Sequence, residues 1–168
     1  MSRRRAWRST RRAIGRSELF TSLRRVAGTR GAIVAGILSQ SPLADEPRST
    51  PDSAEALSLA RRIVDLASDK QASDILLLDI RGVSLIADYF VICTVGSERQ
   101  AGAILKDLGQ NLLEEFGRKP LHTEGTPDSG WVLLDYGDVI VHVFSPTQRQ
   151  FYNLEQLWSA ATPIVRLQ

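Results

Sequence analysis

The sequence predicts an α/β domain, a mixed β-sheet flanked by helices, in the C-terminal two-thirds of a 168-residue chain. Three observations predict it. Two short apolar runs, ILLLDI at 75–80 and YFVICTV at 89–95, lack period-2 alternation and read as strands buried on both faces. Two further runs, at 131–136 and 139–144, flank Gly137-Asp138 and read as a β-hairpin. Stretches with three- and four-residue apolar spacing precede and separate these runs.

The first helix is expected over roughly 53–70, where Ala56, Leu57, Ala60, Ile63, Val64 and Ala67 form one stripe after Pro51 and Asp52. Gly96 and Ser97 end the second strand. Ser97-Glu98-Arg99-Gln100 then has capping-box spacing, in which a hydroxyl and a side-chain amide occupy backbone N–H groups at a helix start. Ala101, Ile104, Leu105, Leu108, Leu112 and Phe116 line the helix that follows, and Gly117 is its expected left-handed cap. The segment holding His122, Glu124, Gly125 and Pro127 is polar and carries no strand signal. Pro146 stops the sheet, and Asn153 is expected to cap a short last helix packed through Leu154, Leu157, Trp158 and Ala161. The expected order is helix, strand, strand, helix, hairpin, helix.

The net charge of +2 hides a polarised chain. Residues 1–50 hold eleven Arg against Glu18, Asp45 and Glu46, a net +8, and the remainder is net −6. Residues 1–38, Arg-rich and without a sustained apolar stripe, are expected to be a disordered extension. They have the composition of a transit peptide, and they equally suit an over-extended translation start, because Met1 is the only methionine and eighteen Arg against three Lys suggest a GC-rich gene. A nucleic-acid-binding arm is a further reading, and a secretory signal fits worst, since GAIVAGIL at 31–38 is short. That run is also far below the roughly 20 residues of a membrane span. Residues 39–52, with Pro42, Pro47 and Pro51 among small polar residues, read as a linker, and 53–168 as the domain.

The residues exclude several chemistries. Cys93 is the only cysteine, so no internal disulfide or cysteine zinc cluster forms, which suits a reducing compartment. It lies mid-strand, where a thiol behaves as a small hydrophobe. The histidines, His122 and His142, have no metal-ligand spacing, and His142, alternating with Ile140 and Phe144, reads as a buried histidine held by a carbonyl or an acid. Gly96-Ser97 at a helix start resembles a phosphate cradle, but a nucleotidyltransferase needs closely spaced carboxylates for divalent metal, and none follow. The capping box accounts for Ser97 without catalysis. What remains is a group of acids and aromatics around the hairpin: Glu124, Trp131, Asp135, Tyr136 and Asp138. Alternation puts Trp131 and Asp135 on one strand face and Tyr136 on the other. Trp131 reads equally as an anchor for a basic partner and as core. A net charge of −6 disfavours nucleic acid as the domain's partner.

DILLLDI at 74–80, DYFVICTVGSERQ at 88–100, Glu124-Gly125, WVLLDYGDVIVHVF at 131–144 and FYNLEQLW at 151–158 together resemble the Iojap family, the bacterial and organellar ribosomal silencing factors. The resemblance runs through about residues 54–160 and leaves 1–50 uncovered. It implies a compact α/β domain with a nucleotidyltransferase-like fold lacking catalytic acids, no enzyme activity and no cofactor or metal. It implies binding to the large ribosomal subunit through ribosomal protein fourteen, so that joining of the small subunit is blocked when nutrients are short, and a homodimer in the free state. The partner-binding patch falls on Trp131, Asp135, Tyr136 and Asp138, with Glu124 and His142 nearby. The implied compartment is a bacterial cytoplasm, or alternatively a mitochondrial or plastid matrix. The uncovered basic arm raises an additional contact with ribosomal RNA. The contrasting reading is a nucleotide-binding enzyme of the nucleotidyltransferase type.

Overall fold

The structure, a computed structural model, describes residues 51–168; the expected extension and most of the expected linker lie outside the described residues. Helix α1 (Pro51–Asp69) leads into strand β1 (Ser73–Asp79), β2 (Tyr89–Thr94), helix α2 (Glu98–Phe116) and strand β3 (His122–Thr126). A 3-10 turn (Pro127–Ser129) precedes the hairpin β4 (Trp131–Asp135) and β5 (Val139–Phe144). Helices α3 (Pro146–Tyr152) and α4 (Leu154–Leu157) and strand β6 (Thr162–Leu167) complete the chain.

The six strands form one sheet in the order β3-β4-β5-β2-β1-β6. Only β2 and β5 run parallel, with Phe90 opposite Ile140 and Ile92 opposite His142; the other pairings are antiparallel, so the sheet is mixed. Every residue of β2 is buried, as its unbroken apolar run requires of a strand covered on both faces. On the first face, Val91, Cys93, Val132, Leu134 and Val141 pack with Ala60, Ile63, Ile104, Leu108 and Leu112 of α1 and α2. On the second, Phe90, Ile92, Trp131, Leu133, Ile140 and Phe144 pack with Tyr152 and Leu154 from α3 and α4 and with Ile80 and Ala87 from the β1–β2 connection.

The expected caps of α2 form, with one change. Ser97 Oγ accepts the Gln100 N–H at 3.2 Å, but the Gln100 side chain reaches Gly96, whose N–H donates to Oε1 at 2.8 Å. Gln100 Nε2 donates to the carbonyls of Lys70 and Gln71, both at 2.8 Å, and so ties the start of α2 to the end of α1. Gly117 takes φ +65° and closes the helix as a left-handed cap, its N–H donating to Leu113 O and the Arg118 N–H to Leu112 O.

Four elements depart from the expected order, one of them the helix α3, which no expected element covers. The polar segment around Glu124 is a strand, β3, held entirely by β4. The last helix is shorter than expected: Leu154–Leu157 form its four residues, and Trp158 and Ala161 lie beyond it. Asn153 sits at φ 44°; its side chain caps no backbone N–H, its Nδ2 donating instead to Gln156 Oε1 at 2.8 Å. After it comes β6, which the sequence reading lacked. Pro146 does stop the sheet, as the first residue of α3, whose start Ser145 caps by accepting the Gln148 N–H.

Arg149 of α3 locks the second-face cover to the sheet. Its guanidinium donates to Thr94 Oγ1 at 2.9 Å, to Glu155 Oε1 at 2.6 and 2.8 Å, and to the Asp74 carbonyl. One side chain thereby joins β1, β2, α3 and α4.

Candidate functional site

The hairpin places the predicted residues by register. Trp131, Leu133 and Asp135 of β4 stand opposite Phe144, His142 and Ile140 of β5, and Leu133 and Asp135 stand opposite Glu124 and His122 of β3. Alternation therefore collects Glu124, Trp131, Asp135 and His142 on the second face, joined by His122, which the sequence reading had not assigned to the group. Tyr136 lies on the first face, and Asp138 in the β4–β5 turn. His122 became part of the group only through β3, an element without an apolar signal.

Burial divides the set. Trp131 is 8% exposed, Asp135 7%, and His142 and Tyr136 are enclosed. Trp131 stacks on Phe144 at 5.6 Å between centroids and on His142 at 6.1 Å, and tilts against Tyr152 at 5.1 Å. Its Nε1–H donates to His142 Nδ1 at 3.3 Å. The partner of His142 is thus an indole rather than the expected carbonyl or acid. The accepting Nδ1 leaves the proton on Nε2, which has no hydrogen-bond partner among the described residues. Burial pushes the imidazole down to about 3. Asp135 accepts the Gly137 N–H at 2.7 Å and so supports the hairpin turn. The Tyr136 hydroxyl has no partner among the described residues, and burial pushes it up to about 12.

Glu124, His122 and Asp138 reach the surface. Glu124 and Asp138 are half-buried and His122 is exposed, with His122 Nε2 3.1 Å from Glu124 Oε1. The Asp138 carbonyl accepts the N–H groups of Asp88 at 2.8 Å and Tyr89 at 3.0 Å, which fixes the β1–β2 connection beside the turn. That connection carries Leu85, wholly exposed, and Val83, 42% exposed. Val83, Leu85, Ile86 and Ala87 make half of this link apolar, so the sequence did not single out Leu85.

No catalytic arrangement accompanies these residues. Burial pushes the Cys93 thiol up to about 12, the protonated, unreactive form. Among the described residues no three His, Cys, Asp or Glu side chains gather as a metal site, and no helix is long and apolar enough to cross a membrane. The phosphate cradle expected of an enzyme is occupied by the protein itself, since Gln100 takes the Gly96 N–H and Ser97 the Gln100 N–H. Two clefts, lined in part by Asp74, Arg149 and Glu155, lie at the Thr94 end of β2, opposite the Asp138 turn. The hairpin group is a surface patch with a packed aromatic base.

The fold and this patch are those of a mixed-sheet α/β domain. Residues 51–168 match the family described as ribosomal silencing factor during starvation, and the chain belongs to that family, which is regulatory and non-enzymatic. A ribosomal silencing factor of Halalkalibacterium halodurans is 45% identical over 114 residues, 68% of this chain and 93% of that protein. One of Bacillus subtilis is 47% identical over 93 residues, 55% of this chain and 78% of its own length. The chloroplastic protein Iojap of Zea mays is 40% identical over 116 residues, 67% of this chain but 49% of the maize protein. A crystal structure from Chromobacterium violaceum superposes with a TM-score of 0.58 at 30% identity, covering 62% of this chain and 86% of its own.

Proposed function

We propose that the protein binds the large ribosomal subunit through ribosomal protein fourteen and, by occupying a surface that the small subunit must meet, prevents the two from joining when nutrients limit growth. Family membership supports this reading. The observation that carries it is the hairpin face, where Glu124 and Asp138 rim a rigid aromatic base on a domain of net −6, a surface suited to a basic protein. Glu124, Asp138 and the neighbouring Leu85 make the contact. Trp131, Asp135, Tyr136 and His142 act from beneath by holding β4, β5 and the turn in place. The free protein is a homodimer, and it acts in a bacterial cytoplasm or, where an organelle imports it, in a plastid or mitochondrial matrix. Residues 53–168 suffice for docking.

The test is a full-length protein carrying Glu124→Lys and Asp138→Lys, titrated against purified large subunits with its melting curve recorded on the same preparation. Like charges brought onto a basic partner weaken binding by about 2 kcal/mol or more, and salt weakens the wild type mainly through slower association. A folded double variant that binds as the wild type does would show the acids to be bystanders.

A further inference from the structure

Of the Phe, Tyr and Trp side chains among the described residues, Phe151 alone is exposed, at 54%. It lies in the last turn of α3, and it is braced rather than loose. Its ring stands edge-on to Tyr152, with centroids 5.0 Å apart and planes at 84°, and Tyr152 in turn tilts against Trp131 at 5.1 Å and Phe144 at 6.1 Å. The helix that carries it is fixed at its start by Ser145, which accepts the Gln148 N–H, and along its length by Arg149, which donates to Thr94 Oγ1 and Glu155 Oε1. Register puts Glu124 opposite Leu133, one alternation step from Trp131 on the same face, so the aromatic base that supports Phe151 neighbours that carboxylate. From Trp131 to the Asp138 turn the hairpin runs roughly 20 Å at the rise of an extended strand. A single standard interface of about 800 Å² per partner covers that length.

We infer that Phe151 is a further contact residue of the hairpin surface, its ring receiving a lysine or arginine side chain of the basic protein that docks there. The inference rests on the ribosomal reading above and adds to it a residue and a chemistry. An aromatic ring is negative on its face, so a cation placed over it is attracted, and the Glu124 carboxylate nearby acts with the same sign. A basic partner is drawn to both. A second copy of a domain of net −6 brings like charge instead. Because Tyr152 already braces the ring, little side-chain freedom is lost when a partner covers it, which suits an anchor at an interface.

The test uses full-length protein carrying Phe151→Ala, Phe151→Leu or Phe151→Trp, each titrated against purified large subunits, with melting curves and sedimentation of the free proteins recorded on the same preparations. Losing the ring in the Ala and Leu variants should weaken binding about tenfold, whereas Trp, the best ring for a cation, should retain it. Melting midpoints should stay with the wild type, because the side chain is exposed. Wild-type affinity in Phe151→Ala would remove the residue from the contact. Wild-type affinity in Phe151→Leu would overturn the cation-binding role, since any apolar side chain would then serve. A shift of free Phe151→Ala toward monomer would overturn the inference in favour of a second copy as the occupant. The Glu124→Lys, Asp138→Lys protein in the same assay separates the ring from the reading it rests on: loss with that variant and none with Phe151→Ala refutes the ring alone, and wild-type protein that does not bind large subunits refutes the reading and the ring's partner with it.

Discussion

Trp131 and His142 pack as one buried, hydrogen-bonded unit. From sequence Trp131 reads equally as an anchor and as core, and His142 as a buried histidine; register places them diagonally across β4 and β5, where the indole N–H meets the imidazole and both rings stack on Phe144. Nothing in the sequence specifies that pairing, because it depends on which β5 residue stands opposite Leu133. Trp131→Ala removes a buried indole and should cost about 3–5 kcal/mol in denaturant unfolding. A loss below about 1 kcal/mol would return Trp131 to the surface. His142 predicts a pH dependence. Its folded pKa, about 3, lies below the unfolded value of 6.5, so on acidification the unfolded chain takes up the proton first. Stability contributed by the neutral ring is complete above pH about 6.5 and falls by about 1.4 kcal/mol per pH unit toward 3. Melting from pH 7.5 to 5 should show this slope in the wild type and lose it in His142→Gln; identical slopes would mean that the ring titrates normally. Asp79 and Glu115, held below the usual carboxylate range by hydrogen bonds from Arg81 and Arg62, add their own losses only at lower pH.

Among the elements, those buried by their own sequence were legible and those completed by a neighbour were not. The interior strands β1, β2, β4 and β5 announce themselves as apolar runs, and α2 carries both of its caps in its residues. The edge strands do not. β3, HTEGT, contains no large apolar side chain, and its existence rests on the ladder to β4. β6 contains Pro163, which argues against a strand interior, but it is an edge, and the register with β1 shifts between Leu77 and Leu78 where Pro163 pairs. Gly125 shows how closely β3 is fitted. Its φ is +79°, and a Cβ there would lie 2.2 Å from the Trp131 carbonyl oxygen, a backbone atom that cannot yield cheaply. Gly125→Ala should therefore destabilise the protein by about 2 kcal/mol or more and raise amide exchange in β3 and β4 ahead of β2. Unchanged exchange at Thr123 and Leu134 would show that the turn adapts without strain.

At the scale of the whole molecule, one sheet separates two core layers, and its ends differ in composition. At the Thr94 end Arg149 ties α3 to Thr94, Glu155 and the Asp74 carbonyl, and Gln100 ties α2 to the end of α1. The Asp138 end carries Asp138 and the wholly exposed Leu85. The candidate site was legible in part: its residue types and their position around the hairpin were readable, whereas the division into buried support and exposed rim required the third dimension. That division makes the account one of steric occupation by a rigid face. It is tested most directly by order of addition. Purified wild-type protein is added to separated subunits before mixing, or to ribosomes already joined, and the joined fraction is read by sedimentation. The account predicts a reduced joined fraction when the protein is added first and little change when it is added last. Unimpaired joining with the large subunit demonstrably occupied would contradict it.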